Sequence, residues 1–177
     1  QIFRPVLNSD KGVAISSATY PSYGDISTYD MAGSALDTAV RNIIASGGTL
    51  KHLAILDNFC WCSSDDPVRL GELKDAVKAC YDTAVAYGTP FISGKDSMWN
   101  DFKGYDAKGN PLSISILPTL LISGLSVMGE ILKTVSPEFK NEGDVIYLLG
   151  YTNNELGEGE YFKMLNMAGG NVPQVDL

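Results

Sequence analysis

The stretch Leu53-Ala54-Ile55-Leu56-Asp57-Asn58-Phe59-Cys60-Trp61-Cys62 decides how this chain reads. Its first four residues are a compact apolar run, the mark of a buried strand. The run passes directly into Asp57-Asn58, so a carboxylate and an amide stand at the exit of that strand. A helix follows. Asp66 is its N-cap, and Pro67 takes the first helical position, where a missing N–H costs nothing. Leu70, Leu73, Val77, Cys80 and Ala84 recur on one helical face, and Gly88 closes the helix just past Tyr87. Pro90-Phe91-Ile92-Ser93 then reads as a second short strand, which delivers Gly94-Lys95-Asp96-Ser97 at its own end. Strand, helix and strand therefore place two polar clusters at two neighbouring strand exits.

Toward the N-terminus, Gly12-Val13-Ala14-Ile15-Ser16-Ser17 predicts a strand and Tyr20-Pro21-Ser22-Tyr23-Gly24-Asp25 a turn. Asp30 caps a helix through about Ser46, with Ala32, Leu36, Ala39, Val40 and Ile43 as its apolar stripe and Gly47-Gly48 as its stop. Toward the C-terminus, Asp101 to Asn110 is a hairpin tip or a loop. Ile114-Ser115-Ile116 alternates, Pro118 breaks the pattern, and Thr119 to Met128 is strand-like. Lys133 to Gly143 is a polar connector. Asp144 to Gly150 predicts a new buried strand, followed by Asn154-Glu155-Leu156-Gly157. The pattern predicts an α+β fold, with a mixed or antiparallel sheet of about four strands and helices packed on one face. The composition shift near residue 136 divides the chain into residues 1–135, one domain, and residues 136–177, the truncated start of another. The start at Gln1 and the stop at Leu177 suggest an excised piece of a longer protein.

Composition excludes several classes. Hydrophobic residues make up 45% and charged residues 19% of the 177 positions, a mix that folds. Thirteen Lys and Arg against 21 Asp and Glu leave a net charge of −8, so the chain carries no basic face for nucleic acid. A small anion needs only a local cluster of donors. No apolar run spans a membrane. Cys60, Cys62 and Cys80 cannot all pair internally. With no secretion signal, a reducing cytoplasm is the expected setting.

The two strand-exit clusters carry the chemistry. Asp57 can accept from a ribose hydroxyl or an amine, or hold Mg²⁺, with Asn58 in a weaker version of either role; it can equally just cap a turn. In the second cluster Gly94 allows close backbone approach, Lys95 supplies a positive charge, Asp96 can ligate Mg²⁺ and Ser97 can donate to a phosphate. The spacing is not that of a Walker A loop. Asn42 is a poor mid-helix residue whose amide can serve a ligand, face solvent or bond a neighbouring backbone carbonyl. Cys60 and Cys62 lack the spacing and the second pair of a zinc site. His52 has no Ser or Cys partner nearby in sequence.

Three of these stretches carry a family resemblance. Met31 to Asn42 with Gly47-Gly48, Leu56-Asp57-Asn58-Phe59-Cys60-Trp61, and Gly88 to Met98 are similar, in that order, to segments of the phosphoribosylformylglycinamidine synthase family. Asp144 to Gly157 resembles the start of that family's following domain. The resemblance implies a cytoplasmic ligase of purine biosynthesis that joins formylglycinamide ribonucleotide and the nitrogen of glutamine at the expense of ATP. Phosphorylation of the substrate amide oxygen gives an iminophosphate, which ammonia from a glutaminase displaces. It also implies two homologous halves whose sheets pair edge to edge into a barrel-like core.

By that resemblance the chain is the N-terminal domain of the second half, a wall of an ATP and Mg²⁺ site that is inactive alone. Asp57, Asn58, Gly94 and Lys95 would contact nucleotide, Ser97 substrate or phosphate, and Asp96 and Asn42 the metal. No catalytic residue is carried over. The first half and a glutaminase would be its partners. Thr38 and Ala18 stand where relatives often carry acids, so the metal shell departs from the family's. An alternative is a structural half with a pairing surface and a nucleotide that is never turned over, and the exposed sheet edge would invite self-pairing into a homodimer. A kinase related to selenophosphate synthetase or thiamine monophosphate kinase fits the Asp57-to-Trp61 run less well.

Overall fold

A computed structural model describes residues 1–177. In chain order the elements are β1 (Ile2–Phe3), β2 (Gly12–Thr19), α1 (Thr28–Ala45), β3 (Leu53–Cys60), α2 (Pro67–Tyr87), β4 (Phe91–Ser97), β5 (Phe102–Tyr105), β6 (Pro111–Ile114), β7 (Thr119–Met128) and α3 (Glu160–Met164). The main sheet has five strands rather than four, in the order β1-β2-β7-β3-β4, and β5 and β6 form a separate two-stranded ribbon. Every neighbour in the main sheet is antiparallel except β3 and β4. Parallel strands cannot be joined by a tight turn, and α2 is the crossover that makes this pair possible.

The strands alternate as a half-buried sheet should. Leu53, Ile55 and Phe59 of β3 and Leu120, Ile122, Ser126 and Met128 of β7 are buried. They meet Met31, Ala32, Ala35, Leu36, Ala39 and Ile43 of α1, so the expected helix layer on one sheet face is present. Ser16 Oγ donates to Ala39 O at 2.6 Å, tying β2 to α1.

Both helix starts are set locally, one of them not as expected. Asp66 caps α2 by accepting the Val68 N–H at 2.9 Å. The cap of α1 is Ser27, whose Oγ accepts the Asp30 N–H at 3.2 Å. Asp30 instead lies in the first turn, where a negative charge meets the positive end of the helix. The earlier start has a tertiary cause: Thr28 is buried and its hydroxyl donates to Glu72 O of α2 at 2.7 Å.

The buried face of α2 also differs from the expected stripe. Ala76, Ala79, Cys80 and Thr83 are buried, whereas Leu70 and Val77 are about half exposed. Small residues allow α2 to lie close against α1, which turns the larger ones outward. Cys80 belongs to both patterns.

Asp144 to Gly150 forms no strand. Val145 to Leu149 has no regular structure and is exposed, with Leu149 at 88%. An apolar run becomes a strand only where another strand supplies its hydrogen bonds, and none in this chain lies beside it. The end of the chain returns to α1: Val172 is buried, and Ser34 Oγ donates to Pro173 O at 3.2 Å. No helix is long and apolar enough to cross a membrane.

Candidate functional site

The two polar clusters lie within strands, not past their ends. β3 runs through Asp57 and Asn58 to Cys60, and β4 runs through Gly94, Lys95 and Asp96 to Ser97. The parallel register sets Asp57 beside Gly94, Asn58 beside Lys95, Phe59 beside Asp96 and Cys60 beside Ser97. Because neighbours in register share a face, the pleat divides the expected residues. Asp57, Gly94 and Asp96 face the helix layer. Asn58, Lys95 and Ser97 face the opposite side. β4 is the edge strand, so both groups open onto one rim.

On the helix side, Asp57 and Asp96 line a cavity of about 430 Å³ with Phe59, Leu73, Val77 and Met98 among its apolar walls. Burial pushes the Asp57 carboxyl above its usual value, and the neighbouring Asp96 adds to the rise. The Cys80 thiol in the same wall is pushed up to about 12, chiefly by burial and further by the charge of Asp57. It is therefore an inert thiol, as its helical position suggested.

On the far side, Lys95 Nζ donates to Ser97 Oγ at 2.9 Å, and Cys60 Sγ lies 3.5 Å from the same oxygen. The Asn58 Oδ1 acceptor is buried without a partner. Asn100 completes the group. Its amide donates to Ser97 O at 2.8 Å and Trp61 O at 3.0 Å and stands 3.3 Å from Ser97 Oγ. The Asp101 carboxylate accepts the Ser63 N–H at 2.8 Å and the Ile116 N–H at 3.2 Å, closing the loop after β3 onto the loop after β4. Asn100 and Asp101 were not singled out from sequence. Their signal is an Asn-Asp pair separated by two residues from the end of a strand, of which only Asp101 falls in the polar stretch expected as a loop. That loop is the β5–β6 hairpin, whose tip is held by Asp106.

Asn42 joins neither group. It lies exposed on α1 and lines a different cavity of about 610 Å³ with Gln1, Ser16, Ser17 and Ser136. That cavity lies beside β2, and β7 and β3 separate β2 from β4, roughly 14 Å at about 4.8 Å per step. Thr38 accepts or donates a 3.0 Å hydrogen bond with Tyr20 Oη. Beside it Asp37, 9% exposed, accepts from Arg41 Nε and from Tyr87 Oη, each at 2.5 Å. Burial, with Asp37 as hydrogen-bond partner, drives the Tyr87 phenol well above its usual range. His52 is exposed at the end of a short 3₁₀ turn.

The donor set fits a divalent cation in one limited way. The charge of Asp96 lies close enough to add to the rise of the Asp57 carboxyl, and a cation between them would relieve that repulsion. No group of three or more His, Cys, Asp or Glu side chains converges anywhere in the chain. Magnesium commonly uses one or two carboxylates and completes its shell with phosphate oxygens and water.

Fold and site together define an α+β domain with two helices on one face of a mixed sheet and a paired-carboxylate groove at the sheet edge. Residues 2–116 match the family described as AIR synthase related protein, N-terminal domain, and the chain belongs to that family. It is similar to phosphoribosylformylglycinamidine synthase subunit PurL of Rhodopseudomonas palustris strain HaA2, 32% identical over 173 residues. The Pyrococcus abyssi subunit is 31% identical over 171 residues. In each case the match covers 97% of this chain but 22% of the relative, so the chain spans about a fifth of the curated relatives' length. Among solved structures, Thermotoga maritima PurL complexed with ATP aligns at a TM-score of 0.60 and 24% identity, covering 77% of this chain and 21% of that one. The same protein complexed with FGAR aligns at 0.59 and 24%, covering 77% and 20%. These likenesses establish the shared fold.

Proposed function

We propose that this chain is one wall of the nucleotide site in a phosphoribosylformylglycinamidine synthase, the N-terminal domain of its second half. The reaction would be the ATP-dependent transfer of glutamine nitrogen to formylglycinamide ribonucleotide. The observation that carries this reading is the rim of β4. There the carboxylates of Asp57 and Asp96 stand on one face, and Lys95, Ser97 and Asn100 on the other. The relatives are named for that activity, and the structural likenesses include complexes with ATP and FGAR.

In this reading Asp57 and Asp96 hold Mg²⁺, which would neutralise phosphate charge. Lys95 supplies a fixed positive charge to the phosphates, and Ser97 is a hydroxyl donor held in place by Lys95 and Asn100. Gly94 leaves the edge backbone open to the nucleotide. Asn42 lies too far from Asp96 to share one ion, so its metal role needs a second ion in its own cavity. The first synthetase half and a glutaminase are the proposed partners, and residues 136–177 are the proposed start of the next domain.

Isothermal titration of ATP with Mg²⁺ into the intact chain tests the site. Binding that weakens in Asp57→Ala and Asp96→Ala is expected; unchanged binding in both would remove the assignment. A second reading is favoured by the sheet face away from the helices. Ile15 and Val127 are exposed there. Leu56, Leu121 and Leu125 are only half buried. This would make the chain chiefly a pairing surface, for the other half or for a second copy. Light scattering at rising concentration tests it, with a strictly monomeric chain as the contrary result.

A further inference from the structure

We propose that Trp99 is the stacking surface for the base of the nucleotide bound at the β4 rim, a deepening of the reading above, on which it rests. The chain has two tryptophans with opposite surroundings. Trp61 is fully buried in the core, whereas Trp99 is 48% exposed. Trp99 also has a backbone φ of 62°, in the left-handed region that bulky side chains avoid. Such a conformation persists only where neighbouring contacts enforce it.

Those contacts are present on both sides. The Trp99 N–H donates to Cys62 O at 3.2 Å, and the Asn100 N–H donates to Trp61 O at 3.1 Å. The Asn100 amide and the Asp101 carboxylate add the bonds already described. Three consecutive residues are thus fixed, and the result is an indole held outward without a place in the core. A side chain so displayed offers a ligand a flat π-face.

The surroundings state which ligand. Lys103 Nζ lies over the indole, 5.8 Å from its centroid. Lys95 and Asn100 both reach Ser97 Oγ, two residues before Trp99. In a chain of net charge −8, these are local cations and donors beside an exposed aromatic ring. An aromatic base joined to an anionic tail matches that combination: the base stacks on the ring, and the phosphates meet the lysines. The ligand class is a nucleoside di- or triphosphate.

The test is ATP titration with Mg²⁺ into the intact chain, followed by calorimetry and by tryptophan emission. Trp99→Gly is the informative variant, because glycine adopts the left-handed backbone without strain and the loop keeps its hydrogen bonds. Expected results are a change in emission on ATP binding, at least a tenfold loss of ATP affinity in Trp99→Gly, and largely retained affinity in Trp99→Tyr. Inorganic tripolyphosphate, which has no base, should bind Trp99→Gly and the parent chain equally. Equal ATP affinity in the parent and Trp99→Gly would overturn the stacking role and leave the nucleotide reading standing. Absence of any ATP heat in the parent chain would overturn both.

Discussion

Gly94 lies beside Asp57 across the only parallel strand pair, and a Cβ at position 94 would stand 2.7 Å from each oxygen of the Asp57 carboxylate. Its own backbone φ is not in the left-handed region, so what constrains position 94 is the end of the Asp57 side chain, which a Cβ there would have to displace. Gly94→Ala should force Asp57 out of its rotamer and cost about 1–3 kcal/mol, the usual penalty for overpacking. Urea denaturation measures it. Asp57→Ala should remove most of that penalty, so the double variant should be more stable than the two single effects sum to.

The raised Asp57 carboxyl makes a prediction about pH. The folded chain holds that proton more tightly than the unfolded chain, whose value is about 3.8. The stability it confers is complete below that value and is lost as pH rises through the higher, folded value. Asp57→Asn never bears the ionised charge. It should melt at a higher temperature than the parent at pH 7, with the gap closing toward pH 3. Asp96→Asn should lower the Asp57 titration midpoint, as followed by carboxyl NMR.

Trp61 combines complete burial with one polar bond, Nε1 donating to Arg69 O at 2.9 Å. Trp61→Phe shrinks a packed side chain and removes the bond to Arg69 O, a carbonyl that keeps its helical partner within α2. A loss of about 2–4 kcal/mol is expected from cavity and hydrogen bond together. The midpoint of guanidinium unfolding checks it, and emission from the exposed Trp99 should survive.

Tyr87→Phe isolates one bond of the Asp37 carboxylate. Arg41 remains, so the buried charge keeps one partner. A loss of about 1.5–3 kcal/mol is expected, the range for hydrogen bonds to a charged group. If thermal melts of Tyr87→Phe and the parent coincide, the bond contributes nothing net.

Much of this architecture was legible in the chain. Asp66-Pro67 and Gly88 bracket α2 because their preferences are local: a capping carboxylate, a missing N–H, and a left-handed φ of 65° at Gly88. Ser27 displaced Asp30 as a cap because Thr28 answers to Glu72, a contact distant in sequence. The outward turn of Leu70 and Val77 depends on how closely α1 approaches, which periodicity along α2 does not encode.

The site was half legible. Asp57, Asn58, Gly94, Lys95, Asp96 and Ser97 do gather at one sheet edge. Their division between two faces follows from strand register, and neither cluster alone specifies register. Asn42 was placed with them by resemblance, and the order of strands sets it apart.

The exposed run from Val145 to Leu149 has a practical side. It is apolar, rich in β-formers, without proline and without charge, bounded only by Asp144 and Gly150. Segments of that kind stack in register between chains and seed cross-β fibrils. Thioflavin fluorescence of concentrated samples should therefore rise with a lag that shortens on seeding. A single lysine at Leu148, on a side chain already facing solvent, should lengthen that lag without lowering the melting temperature.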